Sequence, residues 1–162
     1  MSMMSSHRIP TVSVIIPNWN CAPWLPEAMG SLLRQSSPPE QIIVIDDGSS
    51  DSSVAWLTAF AAQHPQVILL SGERGGVSAA RMKGLSVATG DFVYFMDADD
   101  FVSTDLFADF RRVQARAMKI SICSALARKC FLMCLPRSAT IKPFTSVMSV
   151  DCCPAAAPVY VR

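Results

Sequence analysis

Beyond Asp109 the sequence offers one acidic residue, Asp151, and nothing else that carries negative charge on a side chain. The scarcity is local. Residues 1–112 hold seven Lys/Arg against twelve Asp/Glu, whereas residues 113–162 hold seven against one, so the net charge of +1 conceals two oppositely charged parts. Cysteine is divided in the same way: Cys21 alone in the first part, then Cys123, Cys130, Cys134, Cys152 and Cys153. These five lack the paired C-x-x-C spacing of a zinc site. The opening "MSMMSSHRIP" lacks a basic segment followed by an apolar core, so it does not read as a secretory leader. Without one, a disulfide framework is disfavoured. No apolar run reaches the ~18 residues of a membrane span, because Arg128 and Lys129 interrupt the most apolar late stretch. A cytoplasmic protein is expected, with membrane association limited to the periphery of the inner face.

What the chain does have is the composition of one globular core, with 51% hydrophobic and 17% charged residues in 162. The organisation expected is an extension over 1–10, a folded unit over 11–112, and a basic, cysteine-rich, poorly ordered tail over 113–162. Within the unit, "TVSVII" (11–16), "QIIVI" (41–45), "QVILL" (66–70) and "DFVYFM" (91–96) are short β-branched or aromatic runs that read as strands. Between them lie helical spacings: Leu25, Met29, Leu32 and Leu33; then Val54, Leu57 and Ala61; then a helix over about 77–89 that Gly90 would stop. A last helix carries Leu106, Phe107, Phe110 and Val113, with Ser103 or Thr104 as its cap. Alternation of strands covered on both faces with helices predicts an α/β fold, a mostly parallel sheet flanked by helices.

In such sheets ligands bind beyond the carboxyl ends of the strands, where "PNWN", "DDGS", "GERGG" and "DADD" all fall. Asp97, Asp99 and Asp100 repel one another, and Mg²⁺ or Mn²⁺, which takes one or two carboxylates plus water and phosphate oxygens, would relieve that repulsion. A strand leaving the core into a polar turn is the plainer account of the same residues. Asp46 and Asp47 are good turn chemistry, and Asp47 is also placed to accept hydrogen bonds from a base or ribose. Trp19 is either a packed aromatic or a stacking face. Arg81 is either a surface residue on a helix start or a diphosphate ligand.

Taken in order, "VSVIIPNWN", "IIVIDDGSSD", "GGVSAARMKGL" and "GDFVYFMDADD" resemble the family 2 glycosyltransferases, inverting enzymes with a Rossmann-like GT-A nucleotide-sugar-binding domain. The resemblance covers about residues 11–112 and leaves the fold incomplete after the D-x-D. It implies a nucleotide-sugar donor, a UDP-sugar first among them, and no nucleic acid partner. It puts Pro17 and Trp19 at the base-binding loop, Asp47 on the base, with Asp46 beside it in the same nucleotide-sugar set. Arg81 falls beside the diphosphate, Asp97 near the ribose, and Asp99 on the metal. Asp151, in "SVDCCPAAAP", matches no motif of the family and is a poor candidate for the general base.

Two other functions stand beside this one. A nucleotide-sugar and metal-binding fragment that transfers nothing fits the missing base. A haloacid-dehalogenase-type phosphatase does not, because Phe101 stands where its D-x-D-x-T pattern needs Thr or Val. The change in composition suggests the hypothesis of a shifted reading frame near Ala117, since an alternative frame forces Glu across Met118–Lys119 and permits an acidic, amphipathic string over 117–126. The encoding DNA tests it: no family-like second half in any frame would defeat the idea.

Overall fold

The computed structural model describes residues 9–117 and 131–134. Asp151 and most of the late cysteines lie outside the described residues, as does most of the expected tail. The elements run β1 (Val12–Asn18), α1 (Leu25–Leu33), β2 (Gln41–Asp46), α2 (Ser53–Gln63), β3 (Val67–Ser71), α3 (Val77–Val87), β4 (Phe92–Phe95), α4 (Leu106–Ala117) and β5 (Phe131–Cys134). They form one sheet of order β3-β2-β1-β4-β5. The first four strands are parallel, and β5 runs antiparallel to β4, with Phe92 opposite Cys134 and Phe95 opposite Phe131. The α/β expectation therefore holds, and β5 is an element beyond the four expected strands.

The central place of β1 follows from its side chains. Val12, Val14 and Ile16 enter one core, Ile15 the other, and all four are fully buried. A strand apolar on both faces needs cover on both, which a central parallel strand receives. Full burial of one such aliphatic side chain contributes roughly 1.5–3 kcal/mol. The larger core joins β1 and β2 to Leu25, Met29 and Leu32 of α1, Leu57 of α2 and Phe107 of α4. The smaller core sets Ile15, Ile43, Ile45 and Val93 against Ala80 of α3. At Gly84 of α3 an added Cβ would stand 2.5 Å from Ile15 Cγ2 and 2.8 Å from Ile45 Cδ1, so the missing side chain sets how closely this helix lies on the sheet.

Two boundaries differ from expectation. α3 ends at Val87, with Ala88 already extended, so Gly90 does not stop it. Gly90 instead allows a close crossing: a Cβ there would lie 2.6 Å from the Ser13 backbone nitrogen, and its own N–H donates to Ser13 Oγ at 2.9 Å. α4 begins at Leu106, and the Asp105 carbonyl accepts the Asp109 N–H at 2.8 Å. Ser103 and Thr104 stand in the turn before it, the Ser103 carbonyl accepting the Leu106 N–H at 3.2 Å and Gln35 Nε2, and the Thr104 carbonyl the Ser36 N–H.

α4 is fixed by edge-on aromatic pairs, Tyr94 with Phe107 at 5.5 Å and Phe92 with Phe110 at 4.9 Å between ring centroids. Buried Arg111 completes the attachment. It donates to the carbonyls of Pro10, Ser37 and Pro38, to Ser37 Oγ, and to both Glu40 carboxylate oxygens at 2.7 and 2.8 Å. Glu40 in turn accepts the Val12 N–H at 2.8 Å, which ties α4 to the amino-terminal ends of β1 and β2.

Candidate functional site

The carboxyl ends of β1, β2 and β3 are level, because Asn18 pairs with Asp46 and Asp46 with Ser71. From β1 the chain builds outward through β2 to β3, then returns to place β4 on the other side. This reversal makes the β1/β4 boundary the topological switch point, where loops diverge and leave a crevice. A cleft of about 340 Å³ opens there, lined by Pro17, Trp19, Asp47, Arg74, Asp97 and Asp99, among others. A slightly larger cavity of about 400 Å³ lies at the amino-terminal end, around Thr11, Ser13, Gln41 and Thr89. Its polar groups bond one another: Ser13 Oγ donates to Gln41 Oε1, which also accepts the Thr89 N–H. Its one charged residue, Glu40, is held by Arg111, so the cleft faced by Asp47, Arg74, Asp97 and Asp99 is the better candidate.

The loops after β1 and β2 are stitched together beneath this cleft. Asn18 Nδ2 donates to Asp46 Oδ1 at 2.7 Å and to Ser49 Oγ at 3.1 Å. Asn20, at φ 54°, a left-handed conformation that Asn tolerates, accepts the Ser50 N–H on its Oδ1 at 2.8 Å. Asp51 accepts the N–H groups of Ala22 and Ser53. Its pKa is lowered, first by the nearby Ser53 hydroxyl and also by the backbone N–H donors, against the opposing effect of desolvation.

Of the residues expected from the sequence, the structure brings Pro17, Trp19, Asp47, Asp97 and Asp99 to the cleft. Arg81 reaches it through Asp97, to which it donates at 2.8 Å, with both partners well exposed. Asp46 does not line it. Only 2% exposed at the end of β2, its carboxylate accepts from Asn18 and from the Ser49 N–H, so it serves as a brace for the loops. Asp47 is half-buried and accepts the N–H groups of Gly75 and Gly76 at 2.7 and 2.8 Å. Trp19 is 45% exposed, and the guanidinium carbon of Arg74 lies 4.0 Å from its ring centroid. Asp100 turns the chain, its N–H donating to the Asp97 carbonyl at 3.1 Å.

Sequence reasoning gave no role to Arg74, Asn18 or Cys21, all of which line the cleft. Arg74 lay in the quoted "GERGG", but only the fold shows its guanidinium over Trp19. The Cys21 pKa is raised, chiefly by burial, with smaller contributions from the charges of Asp99, Asp51 and Asp97, against an opposing effect of the Trp19 backbone.

No group of three His, Cys, Asp or Glu side chains among the described residues could hold a metal ion by itself. Asp97 and Asp99 on the cleft wall nonetheless fit a cation that takes most of its ligands from phosphate and water, as Mg²⁺ and Mn²⁺ do. Two buried polar atoms of the residues around the cleft, Asn18 Oδ1 and Arg81 Nε, have no partner among the described residues. Such atoms are rare in folded proteins and are usually met by water or ligand.

A family model described as Glycosyl transferase family 2 matches residues 13–129. The chain belongs to glycosyl transferase family 2. The match runs beyond residue 112, where the resemblance of the four motifs ended. A glycosyltransferase of Escherichia coli, YibD, is 42% identical over 96 residues, 59% of this chain and 28% of its own. Among solved structures, Staphylococcus aureus TarS in complex with UDP-GlcNAc superposes with a TM-score of 0.62 at 27% identity, over 67% of this chain and 32% of that one. A Pyrobaculum calidifontis mannosyltransferase, in complex with GDP-Man and Mn²⁺, gives 0.58 at 30% identity, over 63% and 31%. The chain thus spans about a third or less of each of these proteins. The parallel four-stranded sheet and its helices are those of the GT-A fold. No helix among the described residues is long and apolar enough to cross a membrane.

Proposed function

We propose that this glycosyl transferase family 2 chain binds a nucleoside-diphosphate sugar in the β1/β4 cleft, UDP-linked by preference, and presents it for transfer to an acceptor hydroxyl with inversion. The observation that carries the reading is the gathering of Trp19, Asp47, Asp97 and Asp99 in one cleft of about 340 Å³. The donors bound by TarS and the mannosyltransferase, UDP-GlcNAc and GDP-Man, support a nucleotide sugar here.

Each side chain then has a task suited to its chemistry. Trp19 offers a ring face to the base, and base–aromatic stacking is worth ~1–3 kcal/mol. Asp47 accepts from the base edge, and Asp97 from the ribose. Arg81, released from Asp97, meets the diphosphate, with a guanidinium fork that matches phosphate oxygens. Pro17 holds the first loop at the cleft wall. Asp99 would hold Mg²⁺ or Mn²⁺, which when bound neutralises charge developing on the departing diphosphate. We place this chemistry in the cytoplasm, with peripheral contact at the inner face of the membrane.

A second reading, a donor-binding fragment without transfer, is favoured by one observation. Inversion needs a carboxylate base on the acceptor side, and Asp151 is the only acidic residue after Asp109. Calorimetry with UDP-GlcNAc and Mn²⁺, run beside a transfer assay, separates the two. Binding without turnover in the full chain selects the second. Asp99→Asn should abolish the Mn²⁺ dependence of binding, and Trp19→Ala should weaken it about 5- to 150-fold. Failure of every nucleoside diphosphate to bind, with or without Mn²⁺, would remove both.

A further inference from the structure

One short segment engages both groups that the donor reading assigns to the base. Arg74 lies over the exposed Trp19 ring at 4.0 Å, and the neighbouring N–H groups of Gly75 and Gly76 each donate to one oxygen of Asp47. A base cannot stack on a ring face while a guanidinium covers it. The Asp47 carboxylate already bonds one amide on each oxygen, so a base edge competes with those amides for it.

The root of the segment is firmly held. The Gly72 N–H donates to the Asp46 carbonyl at 3.1 Å, and Lys83 Nζ donates to the Ser71 carbonyl at 2.7 Å. Its tip is not: residues 73–76 are exposed, and around Gly76, at φ 85°, no atom lies within 4 Å of where a Cβ would be. The Gly76 carbonyl stays on the Ala80 N–H at 3.0 Å as the cap of α3, so a fixed root, a helix cap with space around it, and an exposed stretch between them whose guanidinium and amide N–H groups engage the base-reading groups make a displaceable arm.

We propose that Arg74 is a donor-affinity residue acting as a self-occupying latch. Without donor, Arg74 and the Gly75–Gly76 amides fill the Trp19 face and the Asp47 carboxylate, and an arriving nucleobase takes these positions by lifting the 73–76 tip. The cleft is then protected from weak, non-cognate aromatic ligands. A base that both stacks on Trp19 and donates to Asp47 offsets the contacts that it breaks, and the released guanidinium and amides return to water. This inference rests on the donor reading above.

The test uses the full chain, with uridine as a neutral probe of the base contacts and UDP with Mn²⁺ as a probe of the donor. Arg74→Ala removes the competing stack, so uridine should bind about two- to fivefold more tightly, the equivalent of the ~0.5–1 kcal/mol of an exposed cation–π contact. Arg74→Gln, which keeps side-chain length without the charge, should shift affinity the same way and guards against a local folding defect. In a Trp19→Ala background the Arg74→Ala gain should vanish, as a double-mutant cycle requires for a direct coupling. Hydrogen exchange at the Gly75 and Gly76 amides should accelerate when uridine binds. Unchanged or weaker uridine binding in both Arg74 variants, with wild-type protein still binding UDP, overturns the latch alone. If neither wild type nor the variants bind uridine or UDP, the donor reading fails and the latch with it.

Discussion

Replacing Arg111 with Leu should unfold the protein more easily without altering its cleft. The guanidinium is 10% exposed and donates to three backbone carbonyls, to Ser37 Oγ and to the Glu40 carboxylate. Hydrogen bonds to a charged group contribute about 1.5–3 kcal/mol each when isolated and buried, but they are not additive. Glu40 is 45% exposed and regains water once its partner is gone, so the ion pair itself contributes far less than a buried pair. The added leucine recovers part of the loss by filling apolar space. About 2–4 kcal/mol of net destabilisation remains, roughly 4–16 °C in Tm for a chain of this size. Urea unfolding followed by circular dichroism would show this as a lower midpoint at unchanged slope. Arg111 joins the amino-terminal ends of β1 and β2, while the cleft lies at their carboxyl ends, about 20 Å away along seven residues of β1. UDP affinity of the folded variant should therefore stay within twofold of wild type. A midpoint shift equivalent to under 0.5 kcal/mol would refute the clamp, and a large loss of affinity in folded protein would refute the separation of clamp from site.

Three further outcomes follow from local geometry. Gly90→Ala should cost more than Gly84→Ala, about 2–4 against 0–2 kcal/mol. The first meets the Ser13 backbone nitrogen at 2.6 Å, whereas the second meets isoleucine side chains and gains ~1 kcal/mol of helix propensity; equal thermal midpoints would count against this. Cys21 has a raised pKa, so less thiolate exists near neutrality, and its alkylation by iodoacetamide should be slow at pH 7.5 and reach half its maximal rate at a higher pH than free cysteine. Peptide mapping by mass spectrometry reads this directly, and fast labelling at pH 7 would contradict it. Asp51 has a pKa lowered from 3.8, so its contribution to stability is present above the unfolded value and is lost as pH falls through the lower folded one. Asp51→Asn should flatten the acid limb of the stability curve below about pH 4, and an unchanged limb would show that Asp51 carries none of it.

The sequence determined the alternation of elements, and with it the class. "TVSVII" and "QIIVI" are too short and too β-branched for helices and too continuously apolar for a half-exposed sheet, so a buried parallel sheet was legible before any coordinates. The order of "PNWN", "DDGS", "GERGG" and "DADD" likewise placed the candidate residues at strand ends, because that placement depends only on local chain order. The helix end expected at Gly90 falls earlier, at Val87, because the glycine is held against Ser13 of β1, a contact that no local signal states. Strand order was not legible either: no local signal states that β4 returns beside β1, and this return creates the switch point and the cleft. Side-chain allegiance was decided last, and only in three dimensions. Adjacent Asp46 and Asp47 read alike in sequence, yet one is buried as a brace between two loops and the other faces the cleft. Strand geometry sends successive side chains to opposite sides, and which side is core depends on what the rest of the chain packs there.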